Sequence, residues 1–298
     1  MPPRFTHFAA IDWSGAAGTS HKGIAVAICA AGDAAPVLVA PPSPRGWART
    51  EVLRWLVESA PPTTMIGFDM GISLAHADCG AFFPGWAQSP ADARALWALV
   101  EEICAGEPDL GVAPFLAHPQ AARHFRQQGG RLGDLFPTSG PTGARGRWRV
   151  AEEAQAAMGC APTSNFNLVG AAQVGKASLA GMRLLHRLPD SIAVWPVDEV
   201  APRRKVVAEI YTAIAAIAAG RRAGASKIRS HEALAEALAH PAIASAAPTG
   251  TGPIADHAAD ALLTAAWLRR HAHLPALWAP ARLTPALAHT EGWTFGVA

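Results

Sequence analysis

Two apolar β-rich runs, FTHFAAID (residues 5–12) and TTMIGFDM (63–70), carry a carboxylate at or beside their ends, Asp12 and Asp69. A strand that is apolar along its length is bound for the inside of a sheet. An ionised, unpaired carboxylate there costs several kcal/mol, so each acid must be paired, protonated or held against a cation. Between the two runs lie GIAVAIC (23–29) and PVLVA (36–40), separated by Gly, Ser, Ala and Asp turn residues. These predict a three-stranded antiparallel meander. After the proline-rich break PPSPRG, the segment TEVLRWLVESA places Val52, Leu53, Leu56 and Val57 at helical spacing, with Thr50 as the expected N-cap. The order so far is βββαβ.

Residues 71 to about 165 change character, with short helical pieces such as ADARALWALVEEIC among Pro- and Gly-rich connections. They read as an insertion into one domain spanning 1–298. Regular patterning resumes with a helix expected from near Leu168, then strand-like SIAVWPVDEV and KVVAEIYTA, the second carrying Glu209. An Ala-rich helix, HEALAEALAHPAIA and the helix IADHAADALLTAAWLRR follow, the last opened by Pro253 and closed by basic residues that suit its dipole. The fold class expected is α/β: a mixed sheet, three antiparallel strands then parallel ones, flanked by helices.

Each acid taken alone has a plain explanation. Asp12 can serve the turn DWSG, Asp69 the turn before Gly71, Glu209 a solvated edge and Asp256 the start of the last helix. Asp260 is different. It lies four residues beyond Asp256, on the same helix face and past the first turn, where no capping role remains.

With 298 residues, half of them apolar, the chain can bury a large core. It has no apolar run of about twenty residues, and MPPRFTHF lacks the order of a signal peptide, so a cytoplasmic location is expected. Cys29, Cys79, Cys104 and Cys160 are scattered without CxxC pairing and the twelve histidines form no HExxH, which gives no support for a zinc site. The net charge of +2 conceals two basic blocks. Arg123 to Arg149 holds six arginines against Asp134, and Arg203 to Arg229 holds seven Lys and Arg against Glu209. Such blocks are solvated faces or suit a polyanion. In the first, GGRLGDLFPTSGPTGARGRWR reads as a long mobile loop whose Arg145, Arg147 and Arg149, with Trp148 among them, suit a single-stranded nucleic acid. GAAQVGKAS (170–178) nearly spells a phosphate-binding loop, but Ala177 stands where Ser or Thr belongs and the stretch lies in a helical pattern. It is read as a helix on which Gln173 and Lys176 face the acidic site.

The motifs AIDWSGA, IGFDMGIS, VAEIYTA and DHAADALLTAAW, taken in order, resemble the DUF429-type proteins, predicted nucleases of the ribonuclease H-like superfamily, and the last is similar to the Asp-rich helix of RuvC-type resolvases. The resemblance implies metal-dependent phosphodiester hydrolysis on nucleic acid, with Mg²⁺ or Mn²⁺ as cofactor. Carried over residue by residue, it implies that Asp12 bridges two ions, that Asp69 and Asp260 hold one each, and that Glu209 or Asp256 completes the set. Lys176 and the arginines of RGRWR are the expected substrate contacts. Two other readings stand beside it: an ATP-handling protein of the actin-like and sugar-kinase type, with DWSGAAGTSHKG as its phosphate hairpin, and a silent nucleic-acid-binding scaffold.

Overall fold

The computed structural model describes residues 5–137, 145–170, 173–200, 205–222 and 224–298. Strands β1 (His7–Asp12), β2 (Ala25–Ala30) and β3 (Val37–Leu38) form the antiparallel meander. The third strand is only two residues long, and its Val37 and Leu38 are exposed at the sheet edge. Helix α1 (Arg49–Arg54) runs on into a π-helical turn, Trp55–Ser59. Its N-cap is Ala48 rather than Thr50, because the Glu51 carboxylate accepts from the Ala48 N–H at 2.8 Å, while the Thr50 N–H and hydroxyl both go to Asp109. Strand β4 (Thr64–Asp69) then lies parallel to β1.

The segment from 71 to 165 holds α2 (Ala93–Ile103), α3 (Ala113–Ala117), several 3₁₀ turns and α4 (Val150–Ala157). Helix α5 spans Val174–His186, starting later than the pattern from Leu168 suggests. Strands β5 (Ile192–Trp195) and β6 (Lys205–Glu209) follow, then α6 (Thr212–Ala218), α7 (His231–Ala239), α8 (Asp256–His271) and two short helices, α9 (Pro275–Trp278) and α10 (Pro285–Thr290). The six strands make one mixed sheet in the order β3-β2-β1-β4-β6-β5, with β1, β4, β6 and β5 parallel. No helix among the described residues is long and apolar enough to cross a membrane.

Side chains alternate across the sheet as the pleat requires. Ala9, Ile11, Ile66, Phe68 and Val207 point into one core with α2 and α5, while Phe8, Ala10, Met65, Val206 and Ala208 point into the other with α6, α7 and α8. Helix α8 packs along β1 and β2 and is buried continuously from Ala258 to Leu268. A helix apolar all round belongs inside a protein, and its run of alanines lets it lie close to the strands. Gly67 makes that approach possible: a Cβ there would stand 2.7 Å from Ile210 Cγ2 and 2.9 Å from Leu268 Cδ1. Gly67→Val is therefore expected to cost about 1–3 kcal/mol by overpacking, read as a lower denaturation midpoint. An unchanged midpoint would mean that α8 has slack against the sheet.

Candidate functional site

Asp12 and Asp69 are the last residues of neighbouring parallel strands and sit side by side in register. By the alternation above, both follow Phe8–Ala10 and Met65–Gly67 onto the α8 side. Asp260 projects from the second turn of α8, 7 % exposed, and Asp256 from the first turn. All four line one cleft of about 560 Å³, together with Tyr211, Thr212 and Lys227.

Its electrostatics are those of crowded like charges. Burial, then the neighbouring charges of Asp69 and Asp260, hold the Asp12 carboxyl well above the usual carboxylate range, against the opposing pull of Lys227. Burial also pushes Asp69 up to about 6, again with Asp260 raising it, while Lys227 and the Thr212 hydroxyl, which donates to Oδ2 at 3.1 Å, work the other way. Asp12 accepts no side-chain hydrogen bond among the described residues. Lys227 Nζ donates to Asp260 Oδ2. Burial pulls that ammonium down, but the Asp260 bond and the charges of Asp260, Asp12 and Asp69 outweigh it and hold the group above its ordinary range. The Lys227 side chain is nevertheless 54 % exposed, so it reaches into the cleft from solvent. Asp256 stays at the rim, 3.4 Å from Arg229, and lies below its ordinary value because the His257 N–H and Arg229 overcome the opposing effect of burial.

Glu209 has another role. Its Cα partner on β4 is Phe68, which puts its side chain on the opposite side of the sheet from Asp12 and Asp69. There Arg149 grips both carboxylate oxygens at 2.6 and 2.7 Å, and the Ile72 N–H and Thr294 hydroxyl also donate to it. Glu209 borders the cleft, but its lone pairs are spent on a structural ion pair, and it is removed from the catalytic and metal set.

The RGRWR segment is also corrected. Arg149 is 1 % exposed and bound to Glu152 and Glu209. Arg147 is 9 % exposed, paired with Asp78, donating to the carbonyls of Ala81 and Phe82 and lying over the Phe166 ring. Trp148 is half-buried and only Arg145 is exposed. Two of the three arginines are thus interior anchors, tied to Asp78 and Glu209, which are too remote in sequence to be recognised as partners, and Arg149 also to Glu152 one helical turn on; residues 138–144 of the expected loop lie outside the described residues. Lys176 does not face the acids. It lines a separate groove with the turn Gly15–Thr19, and Gln173, the α5 N-cap, lines neither. The phosphate-loop context is absent, since the element before α5 is a helix, α4.

The residues that sequence reasoning passed over are Lys227 and Thr212. The signal for the first was present: the end of the basic block Arg203–Arg229 reaches the acids through Lys227 and Arg229, with Arg222 exposed nearby, while Arg203 and Arg204 lie outside the described residues. Among the described residues no group of three or more His, Cys, Asp and Glu side chains is placed so that it could hold a metal ion. The carboxylates of Asp12, Asp69 and Asp260 and the Thr212 hydroxyl are oxygen donors, the type that hard divalent ions take, and Lys227 is the cation that now stands among them. No family model, curated protein or solved structure matches the chain.

Proposed function

We propose that the chain is a divalent-metal-dependent phosphodiesterase acting on nucleic acid, on a ribonuclease H-like sheet akin to that of the DUF429-type predicted nucleases. The observation that carries this reading is the pairing of Asp12 with Asp69 at adjacent parallel strand ends, facing Asp260 across one cleft. Asp12, Asp69 and Asp260 would hold Mg²⁺ or Mn²⁺, with Asp256 in reserve at the rim. An ion bound there supplies an acidified water and positive charge for the leaving oxygen. In the metal-free protein Lys227 is the counter-cation. Half exposed and held mainly by Asp260, it is free to turn outward and meet a substrate phosphate, a task it would share with Arg222 and Arg229.

The test is cleavage of single-stranded, duplex and branched DNA and RNA with Mn²⁺, by wild type and Asp12→Asn. Metal-dependent cleavage that Asp12→Asn abolishes is expected, and cleavage that survives the substitution would overturn the assignment. Replacing Arg222 and Arg229 by Ala should weaken nucleic-acid binding and lower its salt dependence by about two phosphate contacts' worth of slope, leaving Mn²⁺ binding intact. An unchanged salt slope would take the basic rim out of the reading.

A further inference from the structure

Two phosphate-like signals in the sequence, the glycine turn GAAG (15–18) and the Gly175–Lys176 pair, are not used by the carboxylate cleft. The fold brings both to one place. The turn after β1 lies against the first turn of α5 so closely that a Cβ on Gly15 would stand 2.5 Å from the Ala177 nitrogen. A second groove of about 640 Å³ opens beside this contact, bordered by Gly15–Thr19, by Lys176, Arg131 and Arg49 and by one acid, Glu107, and floored by aliphatic side chains that include Leu110, Val112 and Leu116.

We infer that this groove binds a small phosphomonoester with an apolar body, of the nucleoside monophosphate class. Three observations carry it. Its volume falls within the range of small-molecule sites, and its apolar floor with a few polar groups at one end is their usual make-up. Neither Lys176 nor Arg131 has an acidic partner among the described residues; Arg131 reaches only the Gln127 amide, at 3.4 Å. The backbone N–H groups of Ala17, Gly18 and Thr19 have no protein acceptor there either, and Gly18, at φ +113°, gives the turn a shape that an ordinary side chain would strain. Successive free N–H groups beside unpaired cations form a concavity suited to phosphate oxygens. Arg49, itself at the groove wall, braces the turn, donating to the carbonyls of Ser14 and Ala16 at 2.9 and 2.6 Å while its charge is matched by Asp109. The Ala17 N–H belongs to the peptide whose carbonyl Arg49 holds, which fixes the entry of the turn. The inference is independent of the nuclease reading, since the groove shares no lining residue with the carboxylate cleft.

The experiment is titration calorimetry of the full chain with adenosine monophosphate, adenosine and inorganic phosphate, in EDTA so that no metal-bridged binding at the acids contributes. One site for the monophosphate is expected, with adenosine and phosphate each at least tenfold weaker. Lys176→Met and Arg131→Leu should each weaken it about tenfold, Lys176→Arg should restore much of the affinity, and Asp12→Asn should leave it unchanged. Both main variants change partly or fully exposed side chains, and an unaltered melting curve certifies their fold. Absence of monophosphate binding, equal binding in the Lys176 and Arg131 variants, or loss of binding in Asp12→Asn would each overturn the assignment.

Discussion

Asp12→Asn is expected to raise the melting temperature of the metal-free protein at pH 7.5 and to lack the stabilisation by Mn²⁺ that the proposed metal site predicts for the wild type. The carboxyls of Asp12 and Asp69 are both held above their ordinary values, Asp69 at about 6 against 3.8. A carboxyl that binds its proton more tightly folded than unfolded contributes stability that is complete below the unfolded value and is lost as pH rises through the folded one. For Asp69 that loss falls between about pH 4 and 6 and amounts to at most about 3 kcal/mol, with the pull of Lys227 already included. Removing the Asp12 charge relieves its own share and part of that of Asp69, a gain of about 1–3 kcal/mol at pH 7.5. The gain should shrink toward pH 4.5, where the acids carry their protons. His124, which burial and then Arg147 and Arg123 depress to about 4, drives stability the opposite way over the same interval. It is common to both proteins, so the difference between their melting curves isolates the acids. A fall in stability of equal size at both pH values would instead give Asp12 a structural role.

The acids at the strand ends are legible in the sequence because local pattern and tertiary placement agree there. Alternation in FTHFAAID and TTMIGFDM puts Asp12 and Asp69 in the same phase as the residues facing α8, and the four-residue step from Asp256 to Asp260 puts both on one helix face. Glu209 shows where that legibility ends. Nothing within KVVAEIYTA tells which side of the sheet its glutamate takes; the register with Phe68 decides it, and one residue of slip would reverse every side chain. RGRWR, which follows a glycine-rich stretch, misleads for a related reason. Arg147 and Arg149 are anchored by Asp78 and Glu209, 69 and 60 residues away in the chain, so their burial depends on long-range contacts. Lys227 is the reverse case, visible as part of a basic block but given its role only by the fold that carries it to Asp260.

The other large effect is expected at Arg149. Its guanidinium holds Glu152 at 2.6 Å and both oxygens of Glu209, and also donates to the Glu291 carbonyl at 3.0 Å. The Glu291 carboxylate in turn takes the backbone N–H groups of His76, Ala77 and Val150. This network joins α4, the end of β6, the start of the 71–165 segment and the C-terminal stretch, where Phe295 N–H returns to the Glu209 carbonyl. Arg149→Met leaves Glu152 and Glu209 buried without a counter-charge, and breaking a buried pair from one side costs about 3–5 kcal/mol. Adding Glu209→Gln removes one stranded charge, so the double variant should recover part of that loss, a coupling that a double-mutant cycle in denaturant measures. In the variants that remain folded, the stabilisation by Mn²⁺ should persist, because Asp12, Asp69 and Asp260 are untouched. If Glu209→Gln alone abolished that stabilisation while the metal-free protein kept its full stability, the ion pair would not be the purpose of Glu209, and the residue would return to the metal set.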